Sequence, residues 1–533
     1  RQLIEEAKTL QEWETGLRIS RYQSGLWEEL EELAENTVQA MAWRESVTGL
    51  LELESLEPTA PPTSLTATLR PYQSDGFNWL AFLWRHRLGG ILADDMGLGK
   101  TLQALALILH ARESGAGEPF LVVAPTSVVS NWLDEAHRFA PTLRVVGISG
   151  TAAARGTTLA AELAGADVIV TSYTLFRLDF DEYRAHGWAG LILDEAQFVK
   201  NKASAIHRCA KDLDAPFKLA ITGTPMENNL MELWALFAIV APGLFASARR
   251  FGEQYQRPIE KGDDADAAAE RLSRLRRRIR PLMMRRTKDV VAADLPAKQE
   301  QLLRVELGPR HRKLYDTFLQ RERQKLLGLI EDLDRNRFIV FRSLTLLRML
   351  SLDASLVDDK YATVPSAKID ALFEQLEDIV AEGHRVLIFS QFTSFLKKAA
   401  TRLESLGVDY CYLDGSTRRR GEVIDGFRDG TAPAFLISLK AGGFGLNLTE
   451  ADYVILLDPW WNPATENQAI DRAHRIGQSK NVMVYRIVAT GTIEEKVMAL
   501  RDRKAKLFTS VMDDDGIFAS ALTADDIRGL IEA

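Results

Sequence analysis

Short apolar stretches alternate with helical patterns along most of the chain. The stretches are rich in Val, Ile and Leu, and each ends in small or polar residues. One group contains Gly90–Ala93, Phe120–Ala124, Asp167–Thr171, Leu191–Leu193 and Leu219–Thr222. A second group contains Val386–Phe389, Tyr410–Leu413, Phe435–Ser438, Tyr453–Leu457 and Val482–Val488. Apolar strands separated by helices indicate parallel sheets covered on both faces, so the pattern predicts an α/β protein with two lobes.

Helical patterns without such strands lie outside the two groups. Residues 1–57 repeat leucines on one helical face and end in a Pro-rich break, and residues from about 240 to 366 read as helices and loops. In that second region, Leu272, Leu275 and Ile279 oppose a face of arginines, and Pro281 ends the helix. We therefore expect an N-terminal helical accessory region and linker at 1–66, a first lobe at 67–285 with a protrusion at about 240–282, a helical protrusion or linker at 286–366, a second lobe at 367–505 and C-terminal brace helices at 506–533.

Composition narrows the class of protein. The chain is 46% hydrophobic and 26% charged, with 66 basic and 74 acidic residues and a formal charge of −8. These values exclude a polybasic coat protein but not a locally basic groove. Two widely separated cysteines, Cys209 and Cys411, exclude a disulfide framework and suit a reducing, cytoplasmic compartment. No apolar run approaches the roughly 20 residues of a membrane helix, and the start at Arg1 suggests a piece of a longer protein.

The segment Asp94–Thr101 lies directly after a predicted strand and before a helical pattern. A phosphate chain needs inward-facing backbone N–H groups and the positive end of a helix dipole. Gly97 and Gly99 permit the tight bend, Lys100 can reach the β- and γ-phosphates, and the Thr101 hydroxyl can hold Mg²⁺. The segment therefore predicts a nucleotide phosphate loop.

Adjacent carboxylates end another apolar strand, at Asp194 and Glu195. Asp194 can orient Mg²⁺ through water, which leaves Glu195 to polarise the attacking water. A solvated pair of acids at a helix start is the alternative, but the phosphate loop in the same lobe favours nucleotide hydrolysis. One departure from the strict loop pattern is Asp94, which stands where the motif has its first glycine.

A third segment, Gln468–Gln478, is predicted to be a helix that carries Gln468, Arg472 and Arg475 on one face. Unpaired arginines are ordinary on a solvated surface helix. Directed at a γ-phosphate, however, they would neutralise the charge that builds up in the transition state, which is worth about 10³–10⁵ in rate.

Together, these motifs resemble the SWI/SNF-type remodelling ATPases of helicase superfamily two, and in particular a prokaryotic member. The resemblance covers about residues 67–510 and rests on Leu69–Gln73, Asp95–Thr101, Asp194–Gln197, Thr222–Pro225, Asp414–Ser416, Ala441–Leu448 and Arg472–Gln478. It implies two tandem RecA-like lobes with helical insertions between them and an N-terminal helical extension. Asp94 is usual in this family.

The resemblance also implies roles for individual residues. ATP and Mg²⁺ are the expected cofactors, with Gln73 recognising adenine. The expected cofactor-binding residues are Arg70, Gln73, Asp95, Met96, Gly97, Leu98, Gly99, Lys100, Thr101 and Gly443. Thr101 and Asp194 are the expected metal contacts, and Lys100, Asp194, Glu195, Arg472 and Arg475 the expected catalytic groups. Gly223, Thr224 and Gln468 are expected to couple ATP to nucleic acid.

Small and hydroxylated residues at strand ends let a phosphate backbone approach closely. The expected nucleic-acid contacts are Thr126, Ser127, Asn131, Ser172, Thr222, Ser390, Gln391, Gly415, Ser416, Ser438, Lys440, Gly442 and Trp461. Plain strand-to-helix turns are the alternative for each of them, and a core position is the alternative for Trp461. Arg285, Arg286 and Lys288 are expected to supply local positive charge, together with the basic face from Arg271 to Arg278, for which a simply solvated face is the alternative.

The resulting hypothesis is a DNA-dependent ATPase that translocates on double-stranded DNA, independently of its sequence. We expect it to remodel or displace a DNA-bound protein without robust strand separation, to work as a monomeric core and to have no membrane partner. An RNA- or single-strand-dependent helicase with the same motor is one alternative. A second alternative is an ATP-gated scaffold with little turnover, although Glu195 and Arg475 are both present.

Overall fold

A computed structural model describes most of the chain in two compact units. The described residues are 58–226, 229–245, 247–261, 265–291, 296, 298–327, 333–439, 446–460, 463–475 and 477–499. Described residues up to 291 form the first unit and those from 296 onward form the second. The helices expected within residues 1–57 and 506–533 lie outside this set.

The first unit is built on a sheet of seven parallel strands. In chain order they are β1 (Gly90–Leu92), β2 (Phe120–Ala124), β3 (Val145–Ile148), β4 (Val168–Ser172), β5 (Gly190–Asp194), β6 (Lys218–Ile221) and β7 (Met283–Met284). In space their order is β3-β4-β2-β5-β6-β1-β7. Every residue of β1, β2, β4 and β5 is buried, as expected of a parallel sheet covered on both faces.

Helices follow most of these strands. The α-helices of the first unit are Pro71–Arg85, Lys100–Glu113, Thr126–Phe139, Ala152–Arg155, Leu159–Leu163, Tyr173–Leu178, Phe180–Arg184, Ala205–Asp212, Leu230–Val240, Ala248–Phe251, Arg257–Lys261, Ala265–Ile279 and Lys288–Val291. The helix Ala265–Ile279 buries Leu272, Leu275 and Ile279, as predicted, and the turn Arg280–Leu282 containing Pro281 follows it.

The second unit has a six-stranded parallel sheet. Its strands are β8 (Lys298–Val305), β9 (Val386–Ser390), β10 (Tyr410–Leu413), β11 (Ala434–Ser438), β12 (Tyr453–Leu456) and β13 (Val482–Ala489), in the spatial order β10-β11-β9-β12-β13-β8. Its α-helices are Pro309–Leu327, Leu333–Leu352, Ala367–Ala381, Thr393–Leu406, Arg420–Asp429 and Pro463–Ile470, and residues 493–499 are also helical. Apolar clusters cover both faces of the sheet, with Leu387 and Phe389 on one and Val386 and Ile388 on the other.

The prediction that residues from about 240 to 366 are only helices and loops is wrong at the two-residue strand β7 and, over eight residues, at β8. This strand pairs along its whole length with β13, from Lys298 beside Val482 to Val305 beside Ala489. It is an edge strand whose first residues are exposed and polar, so it lacks the apolar run that marks a central strand. Among the described helices, none is both long and apolar enough to cross a membrane.

Candidate active site

The strand order of the first sheet brings three predicted motifs to one edge. Strands β5, β6 and β1 are neighbours, and all of them are parallel. Asp194 is the last residue of β5, Thr222 directly follows β6, and the phosphate loop follows β1. Because the carboxyl ends of parallel strands share one edge of a sheet, this topology gathers the predicted catalytic groups of the first unit, as in other α/β ligand sites.

The phosphate loop has the backbone that its glycines were expected to permit. Gly97 and Gly99 adopt left-handed conformations, with φ of 83° and 74°, and the helix begins at Lys100. A Cβ at Gly99 would lie 2.5 Å from Nε2 of Gln73, so a larger residue would displace that amide and strain the backbone. The Gln73 amide donates to the Leu98 carbonyl at 3.2 Å and accepts from the Arg70 N–H at 3.0 Å. Gln73 therefore lies against the loop, as an adenine-recognising residue would need to.

Lys100 lies within the loop that it was expected to serve. Its Nζ donates to the carbonyl oxygens of Asp94 at 2.6 Å and Asp95 at 3.1 Å. Burial lowers the pKa of the Lys100 ammonium, while the carboxylates of Glu195 and Asp94 act in the opposite direction. A triphosphate would provide these buried donors with a more strongly charged acceptor.

Asp94 is fully buried and pairs with Arg286, which follows β7. Nε of Arg286 lies 3.0 Å from Oδ1 of Asp94, and a second guanidinium nitrogen reaches the other carboxylate oxygen. The same guanidinium donates to Gln103 at 2.9 Å and to the carbonyl of Tyr72. Arg286 thus holds together the loop, its helix and the helix of Gln73. Contrary to the expectation that Arg286 adds to a local positive patch, its charge is compensated by Asp94 in an internal ion pair.

Lys288 also departs from that expected patch. Its side chain is buried, and its backbone N–H donates to Oδ2 of Asp95 at 3.1 Å. The segment after β7 therefore packs against the phosphate loop and stabilises it through Asp94 and Asp95.

Asp194 and Glu195 are both buried at the end of β5. Burial and the neighbouring Glu195 charge raise the pKa of Asp194 to about 7. Glu195 has a left-handed backbone with φ of 50°, which is uncommon for a residue other than glycine and is typical of strained functional positions. Its Oε2 accepts from the Gln197 amide at 2.9 Å.

Two aromatic side chains that sequence analysis did not assign to the active site contact Asp194. The indole N–H of Trp132 donates to Oδ2 of Asp194 at 2.7 Å, and the hydroxyl of Tyr173 donates to the Asp194 carbonyl at 2.8 Å. Burial raises the pKa of Tyr173 well above its usual value, so the hydroxyl remains a donor. No local pattern could have indicated these contacts, because they join the ends of three different strands.

A hydrogen-bond chain connects Glu195 to the segment after β6. Gln197 donates to Glu195, and the Thr222 hydroxyl donates to Oε1 of Gln197 at 2.9 Å. The Thr224 N–H then donates to the Thr222 hydroxyl at 3.0 Å. A Cβ at Gly223 would lie 2.9 Å from the Met96 side chain, so this segment also touches the phosphate loop. Two of the three expected coupling residues, Gly223 and Thr224, therefore lie in a segment that touches the loop and is linked through Thr222 and Gln197 to Glu195.

The residues present fit a nucleotide-bound Mg²⁺. No cluster of three or more His, Cys, Asp or Glu side chains in the described part of the chain could hold a metal alone. Nucleotide Mg²⁺, however, usually takes only one or two protein ligands besides phosphates and water. Two adjacent buried carboxylates, with the pKa of Asp194 raised by that burial, form a site that a divalent cation would stabilise.

In the second unit, the predicted helix Gln468–Gln478 is wrong beyond Ile470, where the helix that begins at Pro463 ends. Turns follow, with the Ala473 N–H donating to the Ile470 carbonyl at 3.0 Å. They are fixed by Gln478, whose amide donates to the carbonyls of Ala473 and Ala451, and by Gly477 with φ of 104°. The shared helical face proposed for the two arginines therefore does not exist.

The two predicted arginines differ in their surroundings. Arg472 is 2% exposed, and its guanidinium donates to the Leu446 carbonyl at 3.3 Å. Arg475 is half-buried, whereas Gln468 is buried on the preceding helix. Both arginines stay predictions as catalytic groups.

Apart from Thr222 after β6, the predicted nucleic-acid contacts of the first unit lie in the segments that follow two neighbouring strands, β2 and β4. Thr126 is exposed at the start of its helix, and Asn131 donates to Glu135 at 2.9 Å. Ser172 is buried and its hydroxyl accepts from the Leu175 N–H, so it caps a helix. The side chain of Ser127 lies outside the described residues.

The second unit repeats this arrangement at β10, β11 and β9, which are also neighbours. Gly415 and Ser416 are exposed, and the Ser416 hydroxyl donates to Asp414 at 2.6 Å. Ser390 and Ser438 are buried at the ends of their strands. Gln391 is half-buried, and its backbone N–H donates to Asp458 at 3.2 Å. Lys440, Gly442, Gly443 and Trp461 lie outside the described residues.

Comparison with known families gives the same division of the chain. Residues 72–354, more than half of the chain, match the model of the SNF2-related domain, and residues 367–477 match the helicase conserved C-terminal domain. The chain belongs to the SNF2-related family. Membership confirms the predicted helicase-like ATPase family with its tandem RecA-like lobes and its class of enzyme, an ATP hydrolase core.

Individual known proteins are similar to this chain over most of its length. The protein YwqA of Bacillus subtilis is 37% identical over 481 residues, which are 89% of this chain and 52% of YwqA. The ISWI chromatin-remodeling complex ATPase ISW1 of Saccharomyces cerevisiae is 34% identical over 464 residues, 84% of this chain and 41% of ISW1. The chain thus spans about half, or less, of these relatives.

One similar solved structure is the Sulfolobus solfataricus SWI2/SNF2 ATPase core in complex with dsDNA. It is 31% identical, with a TM-score of 0.44, and the match covers 89% of this chain and 99% of that one.

Proposed function

We propose that this protein is a DNA-dependent ATPase that moves along double-stranded DNA and remodels or displaces proteins bound there. One observation carries the proposal: Lys100, Asp194 and Glu195 lie together at the edge of the sheet where β5, β6 and β1 end. The phosphate loop at this edge leads directly into a helix. The relative ISW1 is named as the ATPase of a chromatin-remodeling complex, which supports a DNA-linked role for such a motor.

The first unit contains the groups for binding and cleaving ATP. Backbone N–H groups of the loop and the Lys100 ammonium bind the phosphates, and Gln73 lies where it can meet the base. Thr101 and Asp194 would hold Mg²⁺, which when bound neutralises charge on the β- and γ-phosphates. Glu195, oriented by Gln197, accepts a proton from the attacking water.

The second unit supplies positive charge for the transition state in this proposal. Arg472 and Arg475 would approach the γ-phosphate during turnover, a contribution worth about 10³–10⁵ in rate in related enzymes. Arg472 is buried, and its guanidinium donates to the Leu446 carbonyl. Arg475, which is only half-buried, is the group we expect to contribute more.

The proposed DNA contacts are directed at the phosphate backbone. The exposed groups at the strand ends, Thr126, Gly415 and Ser416, offer N–H and O–H donors and small side chains. Such contacts read no base edges, so binding should be independent of sequence and should weaken strongly with salt.

Coupling between DNA and ATP would pass through the segment after β6. Thr222 is bonded through Gln197 to Glu195, and Gly223 touches Met96 of the phosphate loop. A displacement of this segment by DNA would therefore change the orientation of the carboxylate that activates water.

The test compares ATP hydrolysis with duplex DNA, single-stranded DNA and RNA at one salt concentration, together with displacement of a third strand from a DNA triplex. We expect stimulation mainly by duplex DNA and ATP-dependent triplex displacement, neither of which should occur with Lys100→Ala. Stronger stimulation by RNA or by single-stranded DNA would favour the alternative, an RNA- or single-strand-dependent helicase. Negligible turnover with every nucleic acid, but tight ATP binding, would favour the ATP-gated scaffold.

A further inference from the structure

Asp194 accepts a hydrogen bond at each of its three oxygen atoms. Oδ1 accepts from the Glu195 N–H at 2.9 Å, Oδ2 from the Trp132 indole at 2.7 Å, and the backbone carbonyl from the Tyr173 hydroxyl at 2.8 Å. The Glu195 bond is local to the motif. The other two come from residues 62 and 21 positions away, so they join the end of β5 to the helices that follow two other strands.

Both donors belong to segments that we expect to contact DNA. Trp132 lies in the helix Thr126–Phe139, next to Asn131, and Tyr173 directly follows Ser172 at the end of β4. Their strands, β2 and β4, are successive neighbours of β5 in the sheet. Apart from the segment that contains Thr222 and Thr224, each proposed DNA-contacting segment of the first unit therefore carries one aromatic donor to Asp194.

We propose that Trp132 and Tyr173 are positioning residues that make the alignment of Asp194 for Mg²⁺ depend on DNA. The inference rests on the proposed function. A shift of either segment on binding a phosphate backbone would be transmitted to Asp194, because both side chains are buried and closely packed: Trp132 is 0% and Tyr173 3% exposed, and Tyr173 stacks on Phe198 at 5.2 Å. Neither side chain needs to touch ATP.

Simple packing is the competing explanation, since a buried indole or phenol needs some hydrogen-bond partner. The chain offers matched controls for it. Trp79 is buried and donates its indole N–H to the Pro281 carbonyl at 3.0 Å, and Tyr183 is buried and donates to the Thr171 hydroxyl at 2.9 Å. Replacement of each by phenylalanine removes the same kind of bond at a side chain that does not donate to Asp194.

The experiment compares Trp132→Phe and Tyr173→Phe with the controls Trp79→Phe and Tyr183→Phe. Hydrolysis of ATP is measured with and without duplex DNA, and Mn²⁺ binding to the complex with a non-hydrolysable ATP analogue is measured by electron paramagnetic resonance. In the first pair we expect the DNA-stimulated kcat to fall about 10–100-fold and Mn²⁺ affinity to weaken, as for other residues that orient a metal ligand. The DNA-free rate should fall much less, and the half-activating DNA concentration should not change.

Equal losses in the stimulated and DNA-free rates, or behaviour like the controls, would overturn the inference. The two variants act on different oxygens of Asp194, so failure of one to fold leaves the other as a test. If the wild-type protein shows no stimulation by DNA, the proposed function itself fails. In that case unchanged Mn²⁺ affinity in both variants would overturn the positioning role as well.

Discussion

Replacing Arg286 with methionine should destabilise the phosphate loop strongly. The change keeps much of the side chain's apolar length but leaves the Asp94 carboxylate, which is 0% exposed, without its guanidinium partner. Breaking a buried ion pair from one side costs about 3–5 kcal/mol. Lys100 stays near Asp94 and compensates part of the charge, so we expect a loss of about 3 kcal/mol, at the lower end of that range.

The suitable assay is native-state hydrogen exchange of peptides that cover β1 and the helix Lys100–Glu113. A loss of about 3 kcal/mol corresponds to faster exchange by roughly a hundredfold in this region. Arg112→Met provides the control, because the Arg112–Asp167 ion pair is partly exposed, at 28% and 16%, and should contribute about 1 kcal/mol or less.

The double variant Arg286→Met with Asp94→Asn separates charge from packing. If the uncompensated carboxylate is the main cost, removing its charge should recover about 1 kcal/mol or more relative to Arg286→Met alone. The reasoning would be refuted if Arg286→Met were no less stable than Arg112→Met. It would also be refuted if the double variant were no more stable than Arg286→Met alone.

Three further outcomes are expected from other sites. Arg475→Ala should keep ATP binding, measured with a fluorescent analogue, but lose about 10³-fold in kcat, so full turnover would exclude it as a transition-state group. Gln73→Ala should lose about tenfold in kcat/KM for ATP but not for GTP, if its amide recognises adenine. Burial raises the pKa of Asp458 from 3.8 to about 6, so its ionisation opposes folding and the stability present at low pH is lost as pH rises through about 6. The free energy of unfolding, measured by chemical denaturation, should therefore rise in Asp458→Asn by about 3 kcal/mol relative to wild type as the pH increases from about 4 to about 7. A difference between the two proteins that does not change with pH would contradict the raised pKa of Asp458.

The central strands could be predicted from the sequence because each of them is a run of consecutive apolar residues. All ten predicted strands are present, with ends that differ by at most two residues, since a strand covered on both faces must be apolar throughout. The strand β8 carries no such signal, because its position is set by pairing with β13, far along the chain. Similarly, the end of a helix at Ile470 depends on contacts of the Gln478 side chain with residues of another segment.

The role of Asp94 in the site also could not be predicted from the local sequence, because it depends on a distant residue. Beside a loop that binds a triphosphate, a carboxylate in place of glycine would repel the ligand if its charge were left uncompensated. Arg286, 192 residues later, pairs with this carboxylate, and its guanidinium also joins the loop to the helix of Gln73. Asp94 and Arg286 therefore act as one structural element, and the apparent departure from the phosphate-binding motif is compensated only by the fold. It follows that a substitution at either position should be judged together with the other, and that a motif match alone cannot tell whether this loop is able to bind phosphate.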